Sequence, residues 1–66
     1  MTMRMEDKAS GRWAVLAQVP EGTYAGDWVC ELWFGDNYER KRFTTKAAAV
    51  IVAAEYVFAV EIGDGR

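Results

Sequence analysis

Residues 27–44 read DWVCELWFGDNYERKRFT, and this stretch decides the fold. Every second residue from Trp28 to Phe34 is apolar, and a period of two with aromatic and β-branched residues is typical of a strand with one buried face. The sequence GDN at residues 35–37 predicts a tight turn, because all three residue types tolerate positive φ. Residues 38–44 then predict a second strand, so the stretch forms a β-hairpin.

The register of this hairpin follows from the choice of turn residues. With residues 36 and 37 at the centre of a two-residue turn, Trp33 lies opposite Arg40. The same register places Glu31 opposite Arg42, which gives one aromatic–cation pair and one ion pair on the outer side of the hairpin. A slip of one residue would turn both arginines toward the apolar face, at a large cost.

The segments before and after the hairpin complete the predicted fold. Residues 12–19, RWAVLAQV, alternate and predict an earlier strand, which ends at Pro20. Residues 46–62 contain no glycine or proline, are rich in alanine and follow Thr44 and Thr45, either of which can cap a helix. A buried strand is the alternative for this segment, but its length and alanine content favour the helix.

The predicted fold class is therefore α+β, a three-stranded antiparallel sheet followed by one C-terminal helix (β-β-β-α) that packs on one face. We expect a flexible leader at residues 1–11, a single domain at residues 12–63 and a tail at residues 64–66.

The predicted helix is apolar on two separate arcs, whereas a helix that covers one sheet needs a single apolar stripe. One arc contains Ile51, Phe58 and Ile62. The other arc predicts a homodimer interface, because exposed apolar patches of this kind are rare on soluble monomers. Folding of the leader or of the loop at residues 20–26 over the second arc is the alternative. The predicted dimer interface consists of Val52, Tyr56, Ala59 and Val60.

Composition excludes several classes of function. The 66 residues include one cysteine and no histidine, so neither an intrachain disulfide nor a zinc site is expected. No acid–base pair, activated nucleophile or phosphate-binding loop can be assembled, which predicts a protein without catalytic residues or cofactors. Neither a signal peptide nor a membrane span is apparent, and we expect a cytoplasmic protein of a bacterial host.

Two kinds of binding function fit what remains. The pattern of a G-x-W at residues 11–13, a hairpin, a basic strand and FTTKAAA at residues 43–49 resembles the three-strand-plus-helix DNA-binding domains of phage integrase arms and plant ethylene-response factors. That resemblance implies that an exposed sheet face enters the major groove of DNA. The positions it selects are Arg12, Trp33, Arg40 and Arg42.

The net charge of −2 and the pI of about 4.9 favour a protein partner instead. The small, acidic, motif-free chain resembles anti-CRISPR inhibitors of phages and mobile elements, in size and economy rather than in any signature. That resemblance implies occupation of a nucleic-acid-binding surface on a CRISPR effector complex. A structural subunit of a larger assembly is a third possibility. The predicted partner-binding residues combine acidic side chains with residue types common in interface hot spots: Glu21, Asp27, Glu31, Trp33, Asp36, Tyr38, Arg40 and Arg42.

Overall fold

The computed structural model describes residues 2–58 and has an α+β fold, in which an antiparallel sheet is followed by one helix. This confirms the predicted class, but the sheet has four strands, not three, in the order β1-β2-β3-β4. The elements are β1 (Thr2–Asp7), β2 (Arg12–Gln18), β3 (Trp28–Phe34), β4 (Asn37–Phe43) and α1 (Lys46–Phe58).

The additional strand, β1, lies in the segment that the sequence predicted to be a leader outside the sheet. It pairs antiparallel with β2, with Met5 opposite Ala14, and the Met5 side chain packs against the buried core. A turn closed by the Gly11 amide, which donates to the Asp7 carbonyl at 2.9 Å, joins the two strands. Gly11 has a φ of 80°, which favours glycine. Methionine is not a strong strand former, so pairing with β2 decides the structure of this segment.

The core lies between α1 and one face of the sheet. As predicted, Trp28, Cys30 and Leu32 of β3 point into it and meet the alternate residues of β2. Phe34, predicted on the same face, is 44% exposed at the end of the strand. The helix contributes mainly small side chains, which let its axis approach the sheet closely. The buried side chains are Ala14, Leu16, Trp28, Cys30, Leu32, Ala49, Ala53 and Val57.

The β3–β4 hairpin turns at Gly35 and Asp36, one residue earlier than predicted, so that Phe34 pairs with Asn37. Gly35 has a φ of 60°, which the first central position of a type I′ or II′ turn requires and which glycine adopts without strain. The shift moves every pairing by two residues, which preserves the faces of both strands. The predicted pairs are therefore wrong, although the predicted faces of β4 are right.

Helix α1 is capped at Thr45, one of the two predicted caps. Its hydroxyl accepts a hydrogen bond from the Ala48 amide at 3.2 Å. Val52 and Tyr56, which the sequence assigned to a dimer interface, pack against the buried core instead. The large apolar side chains that α1 exposes are Ile51 and Phe58, on the other arc.

The other two residues of the predicted dimer interface, Ala59 and Val60, lie outside the described residues, as does the predicted tail. Within residues 2–58, no helix has the length and apolar character to cross a membrane.

Candidate functional site on the open sheet face

The face of the sheet turned away from α1 is called the outer face here, and no helix or strand among residues 2–58 covers it. Because side chains alternate along each strand, the paired registers place every second residue of all four strands on this face. Its members are Thr2, Arg4, Glu6, Trp13, Val15, Ala17, Val29, Glu31, Trp33, Tyr38, Arg40 and Arg42.

Three aromatic side chains, Trp13, Trp33 and Tyr38, form a row across the outer face and are called the aromatic row. The two indoles are parallel, with an interplanar angle of 3° and centroids 5.0 Å apart, close to the spacing between neighbouring strands. Trp33 also contacts the Tyr38 ring at 4.5 Å. The two indoles therefore stack face to face, and the Tyr38 ring contacts Trp33 from the third strand at an interplanar angle of 46°.

The first and last rings of the aromatic row each contact a charged side chain. The Arg4 guanidinium lies 4.5 Å from the centroid of Trp13, on the β1 side. At the other end, the Tyr38 hydroxyl donates a hydrogen bond to Glu31 at 3.4 Å. Trp33 has a buried Nε1 that finds no hydrogen-bond partner within residues 2–58. Each indole face is thus in contact with a neighbour, and the row presents ring edges and the half-exposed Tyr38 to solvent.

The arginines of the outer face differ in what they contact. Arg42 stacks on Tyr24, with the guanidinium 3.7 Å from the ring centroid, and its Nε lies 3.4 Å from the Asp27 carboxylate. Arg4 pairs with Glu6 at 3.8 Å. Arg40 lies opposite Glu31 but forms no hydrogen bond, ion pair or ring contact within the described part of the chain.

Arg12 is not on the outer face, although the DNA-binding resemblance selects it. Because Ala14 and Leu16 face the helix, Arg12 two residues earlier also does. Its Nη1 donates to the Tyr56 carbonyl at 3.1 Å, and the guanidinium lies 5.2 Å from the Tyr56 ring. Arg12 therefore ties the sheet to α1 and is not placed to contact a ligand of the outer face.

The structure brings together five of the eight predicted partner-binding residues on the outer face: Glu31, Trp33, Tyr38, Arg40 and Arg42. Asp27 lies beside them and neutralises Arg42. Glu21 and Asp36 do not join them, because they lie in the connections at opposite ends of β3, about 20 Å apart by the rise of a strand. The acidic residues therefore do not form one continuous patch.

Sequence reasoning missed Arg4, Trp13 and Tyr24. The alternation of residues 12–19 places Trp13 on one face, but only the β2–β3 register brings it opposite Trp33. That register depends on the nine-residue connection 19–27, whose pairing between Val19 and the Gly26–Asp27 backbone has no simple sequence signal.

The described residues offer little for covalent chemistry. Cys30 is completely buried, and burial raises the pKa of its thiol above the ordinary value, so the reactive thiolate is disfavoured. No group of three potential metal ligands occurs among residues 2–58. The arrangement of the outer face is suited to noncovalent binding. Comparison with protein-family models, curated proteins and solved structures found no match.

Proposed function

We propose that this chain is a non-catalytic binding module that recognises a protein partner through its outer face. The observation that carries the proposal is the aromatic row, in which two stacked tryptophans and a tilted tyrosine are held in contact with one another. Trp, Tyr and Arg are the residues most enriched in interface hot spots. Since the rings are already held in place, binding loses little side-chain entropy.

The contacts of the aromatic row favour protein over nucleic acid. Proteins that stack bases on a sheet need free ring faces, but Trp13 and Trp33 already contact a neighbour on each face. The exposed edges of the indoles and the Tyr38 ring are suited instead to packing against aliphatic and aromatic side chains of a protein.

The charges on the outer face also favour a protein partner over DNA. Arg42 is paired with Asp27 and Arg4 with Glu6, while Glu31 lies in the middle of the face. Binding to DNA draws its affinity from several cations that contact phosphates and release counterions. Arg40 is the one arginine of this face that has no partner within residues 2–58. A partner with a mixed polar and apolar surface suits this face better than a polyanion does.

The protein partner of the outer face can be specified further. The likeness in size and acidity to anti-CRISPR inhibitors makes a nucleic-acid-binding effector subunit of a bacterial defence complex the first partner to test. In that case the outer face would cover part of the nucleic-acid-binding surface of that subunit, with Glu31 and Tyr38 among the contacts to its basic side chains.

Capture from a bacterial lysate that contains a CRISPR system tests the proposal. Tyr38→Ala removes a ring that is 48% exposed on the outer face, and Phe58→Ala is the matched control, because Phe58 is 46% exposed on α1. We expect wild type and Phe58→Ala to retain the same proteins and Tyr38→Ala to lose them. Retention of the same proteins by Tyr38→Ala would contradict the proposal, provided that both variants unfold at temperatures near that of wild type.

The competing function, DNA binding, is tested by fluorescence anisotropy with a 24-base-pair duplex at 50 mM salt. We expect no binding at micromolar protein. Saturable binding that weakens steeply with added salt would favour the DNA-binding alternative.

A further inference from the structure

A second feature of the outer face lies at the end away from the aromatic row. A groove of about 390 Å³ opens there, between β4 and the connection 19–27, and is called the Arg40 groove. Its lining combines apolar surface with positive charge and contains no carboxylate: Val19, Tyr24, Val29, Arg40, Lys41 and Arg42.

The cations of the Arg40 groove are not equivalent. The Lys41 ammonium lies 3.5 Å from Glu39, and Arg42 is held between Tyr24 and Asp27. Arg40 alone among these cations has no partner within residues 2–58. Its guanidinium presents a fork of N–H donors that matches the two oxygens of a carboxylate.

The walls of the groove limit what Arg40 can bind. Val19 and Val29 provide apolar surface next to the guanidinium, and the Tyr24–Arg42 stack forms one side. Glu31 lines an adjoining groove of about 240 Å³ that Arg40 shares. Successive phosphates of a nucleic acid would extend from Arg40 into the adjoining groove and meet Glu31 there, whereas a single carboxylate can stay in the larger groove, whose lining does not include Glu31.

We infer that the Arg40 groove is a subsite for an acidic side chain of the partner, flanked in the partner's sequence by aliphatic residues. The carboxylate contacts the Arg40 guanidinium, and the aliphatic neighbours pack on Val19, Val29 and the Tyr24 ring. This inference rests on the proposed function, since it defines which partner sequence the outer face selects.

Titration with two blocked peptides, followed by NMR of the isotope-labelled chain, tests the inference. One probe is N-acetylated and C-amidated leucine–glutamate–leucine, and the other has glutamine in place of glutamate. We expect the acidic peptide to shift the signals of Val19, Val29 and the Arg40 side chain, and to bind about fivefold more tightly than its neutral counterpart.

Arg40→Gln should remove the difference between the two peptides. The charge-matched control is Lys8→Gln, which removes one positive charge from the β1–β2 turn at the other end of the sheet and should preserve the difference. Equal binding of both peptides to wild type, or a difference that survives in Arg40→Gln, would overturn the inference. So would a 12-nucleotide DNA strand that displaces the acidic peptide at lower concentration, because the subsite would then be one for phosphate.

The capture experiment separates this inference from the proposed function. If Arg40→Gln binds the captured proteins as tightly as wild type and Tyr38→Ala loses them, the outer face is a protein-binding surface and the Arg40 subsite is wrong. If both variants retain them, the proposed function is wrong as well.

Discussion

The indole rings of Trp13 and Trp33 lie parallel and 5.0 Å apart, from neighbouring strands that no short turn connects. This contact stabilises the β2–β3 register near one end of the outer face and orders the aromatic row. It also links stability to function, because the same rings that hold the strands together form the proposed binding surface.

The stacking of Trp13 and Trp33 should be measurable as a coupling energy. We expect a double-mutant cycle with Trp13→Leu and Trp33→Leu to give about 0.5–1.5 kcal/mol of favourable coupling in urea unfolding, the range found for aromatic pairs. Additive losses would contradict the stacked arrangement.

The position of the β3–β4 turn predicts which α-protons are close in space. Since Phe34 and Asn37 close a two-residue hairpin, Glu31 and Arg40 form a pair without direct backbone hydrogen bonds, with their Cα atoms about 4.5 Å apart. We expect a strong nuclear Overhauser effect between the α-protons of Glu31 and Arg40. A strong effect between the α-protons of Leu32 and Lys41 would show instead that the register is shifted by two residues.

Substitution of Arg40 and substitution of Arg42 should change the free energy of unfolding by different amounts. Arg42→Ala loses the Tyr24 stack and the Asp27 ion pair and should lower the free energy of unfolding by about 0.5–1 kcal/mol, a modest amount because the pair is partly exposed. Arg40→Ala, which loses no contact within residues 2–58, should change it by less than about 0.5 kcal/mol. Urea unfolding at low and high salt measures both, and equal losses would contradict the contacts of Arg42.

The β1 strand predicts that the beginning of the chain contributes to stability. Met5 packs against the core, so Met5→Ser should cost about 1–2 kcal/mol. Met3→Ser is the control, because Met3 is 36% exposed and should cost less than about 0.5 kcal/mol. A neutral Met5→Ser would support the original prediction that residues 1–11 lie outside the sheet.

The buried thiol of Cys30 predicts a pH dependence of stability. Burial raises its pKa above the ordinary value of 9.0, so the folded state holds the proton more tightly than the unfolded state does. The stability that this contributes is fully present below pH 9.0 and is lost as the pH rises through the pKa of the folded state. Wild type should therefore lose more stability than Cys30→Ala between pH 8 and pH 11, and parallel pH profiles would contradict this.

Much of the fold followed from the sequence because three strands and the helix carry strong local patterns. The apolar alternation from Trp28 to Phe34 predicted the inner face of β3, and Thr45 with the alanines after it predicted the start of α1. Strand β1 was missed, because its side chains alternate only between methionine and polar residues. Pairing with β2 across the turn at residues 8–11 stabilises it, and this pairing cannot be read from residues 2–7 alone.

The candidate site was less predictable, since it depends on which strands are neighbours. Tyr38 and Arg40 were assigned to the correct face from alternation alone. Their partners were wrong, because glycine at position 35 takes the first place in the turn and shifts the pairing by two residues. Both arcs of the helix are apolar, so the sequence alone does not show which arc packs on the sheet. In the structure, Val52 and Tyr56 pack against the core.

Site-specific photo-crosslinking tests the central claim, that the outer face binds a protein partner. A benzophenone amino acid replaces Tyr38 in one variant and Phe58 in the other, and both are irradiated in a bacterial host that contains the captured partner. The account predicts adducts heavier than the 7.4 kDa chain from position 38, with the same partner in each preparation, and none from position 58. Adducts from position 58 alone would contradict the account, and a mass twice that of the chain would then identify the helix arc as a homodimer interface.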